Sequence, residues 1–535
     1  MSLAVALLAL ALVAGADGPC PPAETVTPEE PTITTVYPDT NRTGNVGEYV
    51  GITFPRETAL GNWTLTDGHT RASLPGATKN GTVAATLDPV ETARFTDATP
   101  VALEGHLRLA ADGDDIALEY ENETVDSVSY DRATTGERWY RTGPEPTDGD
   151  WWPRGGTCRA PVSATPGEVT VFLLPDEPDV PLETLEGARE RVYLGAYTLT
   201  EPGVVDTLAD AADDGVEVRV LLEASPVGGR PAGTEAAVAT LEAAGANVRA
   251  IGGGDDRYTF HHPKYAVVDE TVLVTTENWV ESGVGGAGNR GWGVVLEDST
   301  LAAELAAVFM ADADGWDTES AVGLEDVDDD PPPTGSFPTE HDTESVPVER
   351  AEIVLGPDAA APHLEELLAG AEESIHVVQP RIPDPEFSLL QATLAAARNG
   401  TSVTILLDAS WYVEEENEAT AAALEDVAAA EDLDLEVHLD DPEGYDSIHA
   451  KGLVVDDVAV VGSLNWNDNS LLDNREILVT LHSDAAAAYF RSAIEADIAG
   501  AGWSLPLDVV GVVLVCLTAV GVHAARTLVF APDRE

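Results

Sequence analysis

The chain has 535 residues, of which 96 are acidic and 27 basic, and its formal net charge at pH 7 is −69. Hydrophobic residues still make up 44% of the sequence, which is enough to form sizeable cores and argues against a disordered chain. The acidic residues run through every predicted element instead of forming a tail.

The charged residues are mostly acidic, and lysine is rare among the basic ones. An acidic surface with arginine in place of lysine resembles that of proteins from salt-loving archaea, and this sequence has only three lysines, Lys79, Lys264 and Lys451. High salt screens the repulsion between like charges. In that setting the usual argument from negative charge against nucleic-acid binding is weak.

The two ends of the sequence predict export and anchoring. Residues 1–18 resemble a secretory signal peptide, with a buried N-terminal helix as the alternative. Residues 505–525 are mostly apolar or small and just reach the length of a membrane-spanning helix, with a core helix as the alternative. Because Arg526 and Arg534 follow, the C-terminus is predicted to be cytoplasmic. We therefore expect a protein of the cell membrane whose bulk is extracellular.

Residues 29–142 predict an all-β module. Short apolar runs alternate with Gly, Asn and Asp turns, and no long helical period is present. The sequences GEYV at 47–50 and GNWTLTDG at 61–68 resemble a lamin-tail domain, an immunoglobulin-like module. The resemblance implies adhesion or targeting without catalysis. Cys20 and Cys158 flank the module and could pair in an extracellular protein.

An internal repeat fills most of the remaining chain. The sequence LADAADDGVEVRVLL at 208–222 aligns with LAAARNGTSVTILL at 394–407, and each predicts a helix, a glycine turn and a buried strand. Alternating helices and strands predict α/β units with covered sheets at 165–316 and 349–500. Residues 317–348 are rich in Pro, Asp and Glu and predict a solvated linker.

The motif His-x-Lys-x4-Asp occurs once in each repeat. Its members are His262, Lys264 and Asp269 in the first repeat and His449, Lys451 and Asp456 in the second. A polar loop follows each motif, TTEN at 275–278 and GSLN at 462–465. One His-x-Lys pair is usually an ordinary surface pair, whereas two at equal spacing in homologous repeats are hard to explain by chance. Strand alternation places His and Lys on the same face.

Two copies of this motif, each followed by an asparagine loop, resemble the phospholipase D superfamily. The resemblance covers both repeats and implies two pseudo-twofold-related α/β/α sandwiches that share one active site. Members of that superfamily divide covalent and acid–base catalysis between two histidines and use no metal or cofactor. We expect neither here, since the sequence has no Cys/His cluster at metal-ligand spacing.

The resemblance also implies a role for each motif residue. His262 would be the nucleophile that forms a phosphohistidine and His449 the acid, although family members do not all follow this order. The phosphate ligands would be Lys264, Lys451, Asn278 and Asn465. Supporting residues would be Glu476, at the family position that hydrogen-bonds a catalytic histidine, and Thr276, Ser463, Asp269 and Asp456. We expect His261 to be a bystander.

The first repeat departs from the family pattern. Thr275 and Thr276 stand where the family prefers Gly-Ser, and Gly291 stands where the second repeat has Glu476. Glu277 adds a negative charge that would oppose phosphate binding. The spacing from Asp to the polar loop is one residue short in both repeats, which a tighter hairpin would allow. These departures leave open a slow or degenerate site.

The sequence favours a phosphodiesterase that acts on phospholipid by hydrolysis or phosphatidyl transfer. The main alternative is a secreted or surface nuclease, which would need a basic channel with stacking aromatic residues. The candidates for such a channel are Arg257, Arg290, Arg475, Trp279, Trp292 and Trp466. A cardiolipin-synthase-type transferase fits less well, because such proteins carry N-terminal spans. A surface adhesion protein with an inactive fold is the non-enzymatic alternative.

Overall fold

The computed structural model describes residues 28–500, apart from 41–45, 94–95, 97, 134–135, 154, 253–256, 316, 327–334 and 441–443. The predicted signal peptide and the predicted membrane span therefore lie outside the described residues. Within the described ranges, no helix is long and apolar enough to cross a membrane. Cys158 is disulfide-bonded, and its predicted partner Cys20 also lies outside the described residues.

The N-terminal part of the chain is built from strands. They are β1 (Thr32–Tyr37), β2 (Tyr49–Ala59), β3 (Trp63–Thr66), β4 (Arg71–Ser73), β5 (Thr78–Thr86), β6 (Thr99–Ala102), β7 (Glu104–His106), β8 (Asp114–Tyr120), β9 (Glu123–Tyr130), β10 (Glu137–Arg141) and β11 (Gly149–Pro153). One short helix, α1 (Pro89–Thr92), and a 3₁₀ turn, Leu60–Asn62, interrupt them.

These strands form two sheets, ordered β11-β10-β1-β2-β5-β6 and β7-β4-β3-β8-β9. Apolar side chains from both sheets share one core, in which Phe54 contacts Trp63 edge-on at 5.5 Å between ring centroids. The predicted strands are thus present and continue past residue 142 to Pro153. The resemblance to a lamin-tail domain stays a prediction.

The first α/β repeat follows. Its elements are β12 (Val162–Ala164), β13 (Gly167–Leu174), α2 (Asp179–Glu186), β14 (Arg191–Ala196), α3 (Pro202–Asp213), β15 (Glu217–Glu223), α4 (Thr234–Ala243), β16 (Asn247–Ile251), β17 (Tyr265–Val268), β18 (Thr271–Thr275), β19 (Asn289–Glu297), α5 (Ser299–Ala313) and β20 (Thr318–Ser320).

The second repeat has matching elements. They are β21 (Glu344–Val348), β22 (Arg350–Gly356), α6 (Ala360–Ala369), β23 (Ser374–Gln379), α7 (Ser388–Arg398), β24 (Ser402–Asp408), α8 (Glu414–Glu431), β25 (Leu435–Asp440), β26 (Ser447–Ile448), β27 (Gly452–Val455), β28 (Val458–Gly462), a π-helical turn (Asn469–Asp473), β29 (Glu476–His482) and α9 (Asp484–Gly500).

Helix α3 illustrates how the sequence builds these units. The side chain of Glu201 accepts a hydrogen bond from the backbone N–H of Val204 and caps the helix, and Pro202 supplies the fixed φ suited to its first turn. Val204, Val205 and Leu208 lie on one face and are buried in the core beneath the sheet. The amphipathic spacing thus accounts for the helix and for the face it buries.

The two repeats have the same strand order. The first reads β16-β15-β14-β17-β18-β19-β13 and the second β25-β24-β23-β27-β28-β29-β22. In each repeat the first three of these strands are parallel and the rest are antiparallel. The predicted pair of α/β repeats is therefore confirmed.

The segments that precede the repeats exchange partners. Strand β12, which leads into the first repeat, pairs with β22 of the second repeat, and β21, which leads into the second repeat, pairs with β13 of the first. Strand β20 pairs with β16. The structure therefore differs from the predicted solvated linker at both ends, since strands at 318–320 and 344–348 belong to the first repeat's sheet.

A single hydrophobic core joins the repeats. It contains α5 and strand residues of the first repeat together with α9 and strand residues of the second. Within this core, Trp292 of β19 stacks on Phe490 of α9, with ring centroids 4.3 Å apart. The two sheets are consequently held as one unit, and β18 and β19 contact β28 across the interface.

Candidate active site

Two tight hairpins hold the far ends of the motif strands. Asp269 adopts a left-handed φ of 54° in the turn between β17 and β18, and its carboxylate accepts backbone N–H groups of residues 189–191 at 2.8 to 2.9 Å. Asp456 has a φ of 51° and accepts those of residues 372–374 at 2.8 Å. The two aspartates thus anchor the motif strands to the start of the neighbouring strand.

Each motif histidine is fastened to the other repeat through its backbone. The N–H of His262 donates to the carbonyl of Arg475, and the N–H of His449 donates to the carbonyl of Arg290, both at 3.0 Å. Strand β26 also pairs with β19 across the interface. Both histidines therefore lie at the interface between the repeats.

The side chains of the same two arginines lock that interface. Arg475 reaches Asp312 of the first repeat at 2.9 Å, and Arg290 reaches Asp497 of the second repeat at 2.9 Å. All four side chains are almost fully buried. Burial alone would lower the pKa of each guanidinium, but the paired carboxylates outweigh it and keep the pKa above its usual value.

Each histidine also contacts a buried carboxylate from the opposite repeat. His262 Nδ1 lies 3.0 Å from both carboxylate oxygens of Glu476, and His449 Nδ1 lies 3.1 Å from Oε2 of Glu277. Burial would raise the pKa of both glutamates, yet the neighbouring cations and hydrogen bonds hold it below the usual value. An ionised acceptor at Nδ1 assigns the imidazole proton to that nitrogen and leaves Nε2 free.

The charges of the two motifs act on each other. Burial lowers the pKa of His262 to about 4, against the opposing effect of Glu476, and also lowers that of His449. The ammonium of Lys451 lowers the pKa of His262 further, and that of Lys264 does the same to His449. Because each histidine also contacts a carboxylate of the opposite repeat, the two motifs form one candidate site at the interface.

The two lysines are buried in that site. Nζ of Lys264 donates to the carbonyl of His262 at 2.6 Å, and Nζ of Lys451 donates to that of His449. Burial lowers the pKa of Lys451 to about 8 and that of Lys264 well below its usual value. Lys264 also lies 5.0 Å from the ring centroid of Tyr197. Two buried ammonium groups are suited to an anionic ligand.

The predicted asparagines and hydroxyls have different surroundings. Asn278 and Asn465 are half-buried, and the buried Oδ1 of Asn278 has no hydrogen-bond partner in the described part of the chain. The hydroxyl of Ser463 donates to Glu476, and that of Thr276 donates to Glu277 at 3.2 Å. The hydroxyls therefore support the carboxylates, whereas the asparagines remain candidates for binding phosphate.

His261 is buried beside this cluster. Its backbone N–H donates to Glu223 at 2.7 Å, and its Nε2 lies 3.7 Å from Oδ2 of Asp312. The second repeat has Ile448 at this position, and its N–H donates to Asp408 at 3.0 Å. An apolar residue thus makes the matching backbone contact, which suits a structural position.

The residue that sequence reasoning missed is Glu277. It was expected to oppose phosphate binding, but its carboxylate contacts His449 and accepts a hydrogen bond from Asn289 at 3.0 Å. The sequence contained a signal for this role. Compared with the second repeat, the first repeat has an additional acid at Glu277 and lacks the acid at Gly291. These two changes lie 14 positions apart in the sequence, and only the fold brings them together.

A comparison with known protein families agrees with this geometry. Residues 182–313 and 364–498 match the family described as "Cardiolipin synthase, PLD-like domain". The chain carries this phospholipase D-like domain, in two repeats. The domain indicates an enzyme with phosphodiesterase or phosphatidyltransferase activity. A search of curated proteins found no match.

Several solved structures resemble the phospholipase D-like part. Phosphatidylserine synthase from Haemophilus influenzae Rd KW20 has a TM-score of 0.48 at 15% identity, covering 62% of this chain and 86% of that one. Polyphosphate kinase from Porphyromonas gingivalis has 0.41 at 11%, covering 61% and 50%. Nuc from Salmonella typhimurium, a phospholipase D family member, has 0.25 at 19%, covering 29% and 95%. Similarity at this level assigns no activity.

Proposed function

We propose that this chain is a phospholipase D-type phosphodiesterase that acts on a phospholipid through a phosphohistidine, without a metal ion. The observation that carries the proposal is the pair of buried histidine–carboxylate contacts, His262 with Glu476 and His449 with Glu277, beside two buried lysines. Together these groups supply a nucleophile, an acid and positive charge to one phosphate.

His262 is the nucleophile in this proposal. Its side chain is 9% exposed, against 24% for His449, and burial lowers its pKa to about 4, so its Nε2 carries a free electron pair at neutral pH. That pair attacks phosphorus, a bond forms between Nε2 and phosphorus, and the bond to the leaving oxygen breaks. Glu476 stabilises the positive charge that develops on the imidazole.

His449 is the general acid and then the base. The negative charge of a bound phosphodiester raises the pKa of nearby imidazoles, which favours a protonated His449. Its Nε2–H gives the proton to the leaving alkoxide oxygen. Water, or the hydroxyl of an acceptor alcohol, then loses a proton to the same nitrogen and attacks phosphorus. The bond to His262 breaks, and both histidines return to their starting state.

The remaining charged and polar groups hold the phosphate. The ammonium groups of Lys264 and Lys451 and the amides of Asn278 and Asn465 would contact its nonbridging oxygens, where charge accumulates in the transition state. A bound phosphate would replace part of the lysines' contact with the histidine carbonyls. This arrangement stabilises the transition state with groups already in position.

A lipid suits the surroundings of the site better than a nucleic acid. The arginines near the motifs are all engaged with carboxylates, Arg257 with Asp317, Arg475 with Asp312 and Arg290 with Asp497. The nearby tryptophans, Trp279, Trp292 and Trp466, are at most 2% exposed. Neither group is available to line a basic channel with stacking surfaces. Attachment to the outer face of the cell membrane, as the sequence predicts, would place the enzyme beside a lipid substrate.

Substrate assays test the proposal directly. The purified full chain should be incubated at molar KCl with phospholipid vesicles, with single-stranded DNA and with bis(p-nitrophenyl) phosphate, each in the presence of EDTA. We expect release of the phospholipid headgroup, with His262→Ala and His449→Ala both inactive and folded. Cleavage of DNA without cleavage of lipid would support the nuclease instead. Inactivity on every phosphodiester would favour the adhesion protein.

A further inference from the structure

We infer that Glu277 is the positioning residue for His449 and that it replaces, from a different place in the backbone, the acid that the first repeat lacks at Gly291. The test of this inference by enzyme activity rests on the proposed function. A second test, which measures the ring tautomer of His449, does not. The first repeat would then supply an acid to the site in the same way as the second repeat, but from residue 277 instead of residue 291.

The two carboxylates have the same set of partners. Each accepts a hydrogen bond from one imidazole Nδ1, one hydroxyl and one asparagine amide. For Glu476 the partners are His262, Ser463 and Asn474; for Glu277 they are His449, Thr276 and Asn289. The asparagine contacts are 3.0 Å long in both cases. Since the hydroxyls and asparagines occupy matching positions of the two repeats, the carboxylates serve equivalent sites.

The backbone positions of the two acids differ. Gly291 pairs with Leu174 across the sheet, and the matching pair in the second repeat is Glu476 with Gly356. Glu476 and Gly291 are therefore equivalent positions. The position that matches Glu277 is Leu464, which is buried in the apolar core of the second repeat.

Steric space explains why the changes occur together. A Cβ atom at Gly291 would lie 2.2 Å from Cγ of Glu277, so the Glu277 side chain would have to move to make room for it. In the second repeat, a Cβ atom at Gly356 would already lie 3.0 Å from Cβ of Glu476. The first repeat has Leu174 at the Gly356 position, so it fills the space that the absent glutamate leaves. At these three matching positions the first repeat has Glu277, Gly291 and Leu174. The second repeat has Leu464, Glu476 and Gly356, so an acid, a glycine and a leucine occur in both, in a different order.

The test transfers the second repeat's arrangement to the first. Glu277→Leu should lower kcat by on the order of 100-fold, because His449 loses the carboxylate that fixes its ring and tautomer. Adding Gly291→Glu and Leu174→Gly restores the acid at the family position, and we expect at least ~10-fold recovery over the single variant. Glu277→Gln serves where Glu277→Leu does not fold.

The second readout needs no substrate. In ¹⁵N-histidine-labelled full-length protein, the ring signals of His449, assigned by comparison with His449→Gln, should show the Nδ1-protonated tautomer. Glu277→Gln should redistribute that tautomer, and the triple variant should restore it. Glu281→Gln is the matched control, because this nearby carboxylate contacts Thr200 at 3.1 Å.

Unchanged ring signals for His449 in the folded Glu277→Gln protein would overturn the inference, whatever the activity. So would a folded triple variant that restores neither the tautomer nor the rate. Redistributed signals in a protein inactive on every phosphodiester would support Glu277 as the positioning residue and count against the proposed function alone.

Discussion

At the scale of single residues, the site without substrate holds two neutral imidazoles in a buried, charged environment. His262 is the more enclosed of the two, with Tyr197 edge-on at 4.7 Å between ring centroids and Glu476 at Nδ1. Burial outweighs the carboxylate in setting its pKa. Burial thereby keeps the proposed nucleophile unprotonated. It should also make the folded protein less stable in acid.

We predict that His262 makes the protein sensitive to acid. Its pKa is 6.5 when exposed and about 4 in the folded protein, so between these values the unfolded chain binds more protons. The free energy of unfolding should therefore be highest above pH 6.5 and fall by up to ~3 kcal/mol as the pH decreases to about 4. Denaturant unfolding across this range measures the slope.

His262→Asn should reduce that slope, because it removes one of the histidines whose pKa is lowered by burial. The control is His438→Asn, which changes a partly exposed histidine on β25. An equal slope in the wild-type protein and His262→Asn would contradict the account of how burial sets this pKa.

At the scale of elements, the interface between the repeats is stabilised by strands that each repeat contributes to the sheet of the other. Strands β12 and β21 each join the sheet of the other repeat, and α5 and α9 carry the aspartates that meet Arg475 and Arg290. Breaking a buried ion pair on one side leaves an uncompensated charge, which costs more than the pair itself contributes. The arginines therefore fix how the two motif strands approach each other.

We predict that Arg475→Met lowers the free energy of unfolding by about 3–5 kcal/mol, since it removes the guanidinium that pairs with the buried carboxylates of Asp312 and Asp358. The double variant Arg475→Met/Asp312→Leu should recover much of that loss. Arg381→Met breaks an exposed pair with Glu416 and should change little. Equal stability of the single and double variants, measured by denaturant unfolding, would argue against a buried charge as the cause.

At the scale of the whole molecule, the sequence predicted the two repeats, their α/β class and the motif residues, because these depend on local spacing. It did not predict the exchanged strands, since nothing local to residues 162–164 or 344–348 specifies a partner in the other repeat. It also misjudged Glu277, whose role depends on contacts with His449, far away in sequence. Local patterns thus predicted which residues form the motifs, whereas the arrangement of those residues in space depends on the fold.

The net charge of −69 predicts a fold that depends on salt. Repulsion between exposed carboxylates falls as salt shortens the screening length, so the melting temperature should rise steadily from dilute to molar KCl. Sucrose of equal osmolarity is the control, because it stabilises without screening charge. A melting temperature that does not respond to KCl would refute this prediction.

The most direct test of the central claim is to locate the covalent phosphorus. His449→Asn retains the attacking imidazole of His262 and removes the base that activates water, so the intermediate should accumulate. After brief incubation with phosphorus-labelled phospholipid, mass spectrometry of the base-stable, acid-labile adduct should identify the peptide that contains His262. His262→Asn should carry no label. Label on a His449 peptide of the His262→Asn protein, with none on His262 of the His449→Asn protein, would contradict the account.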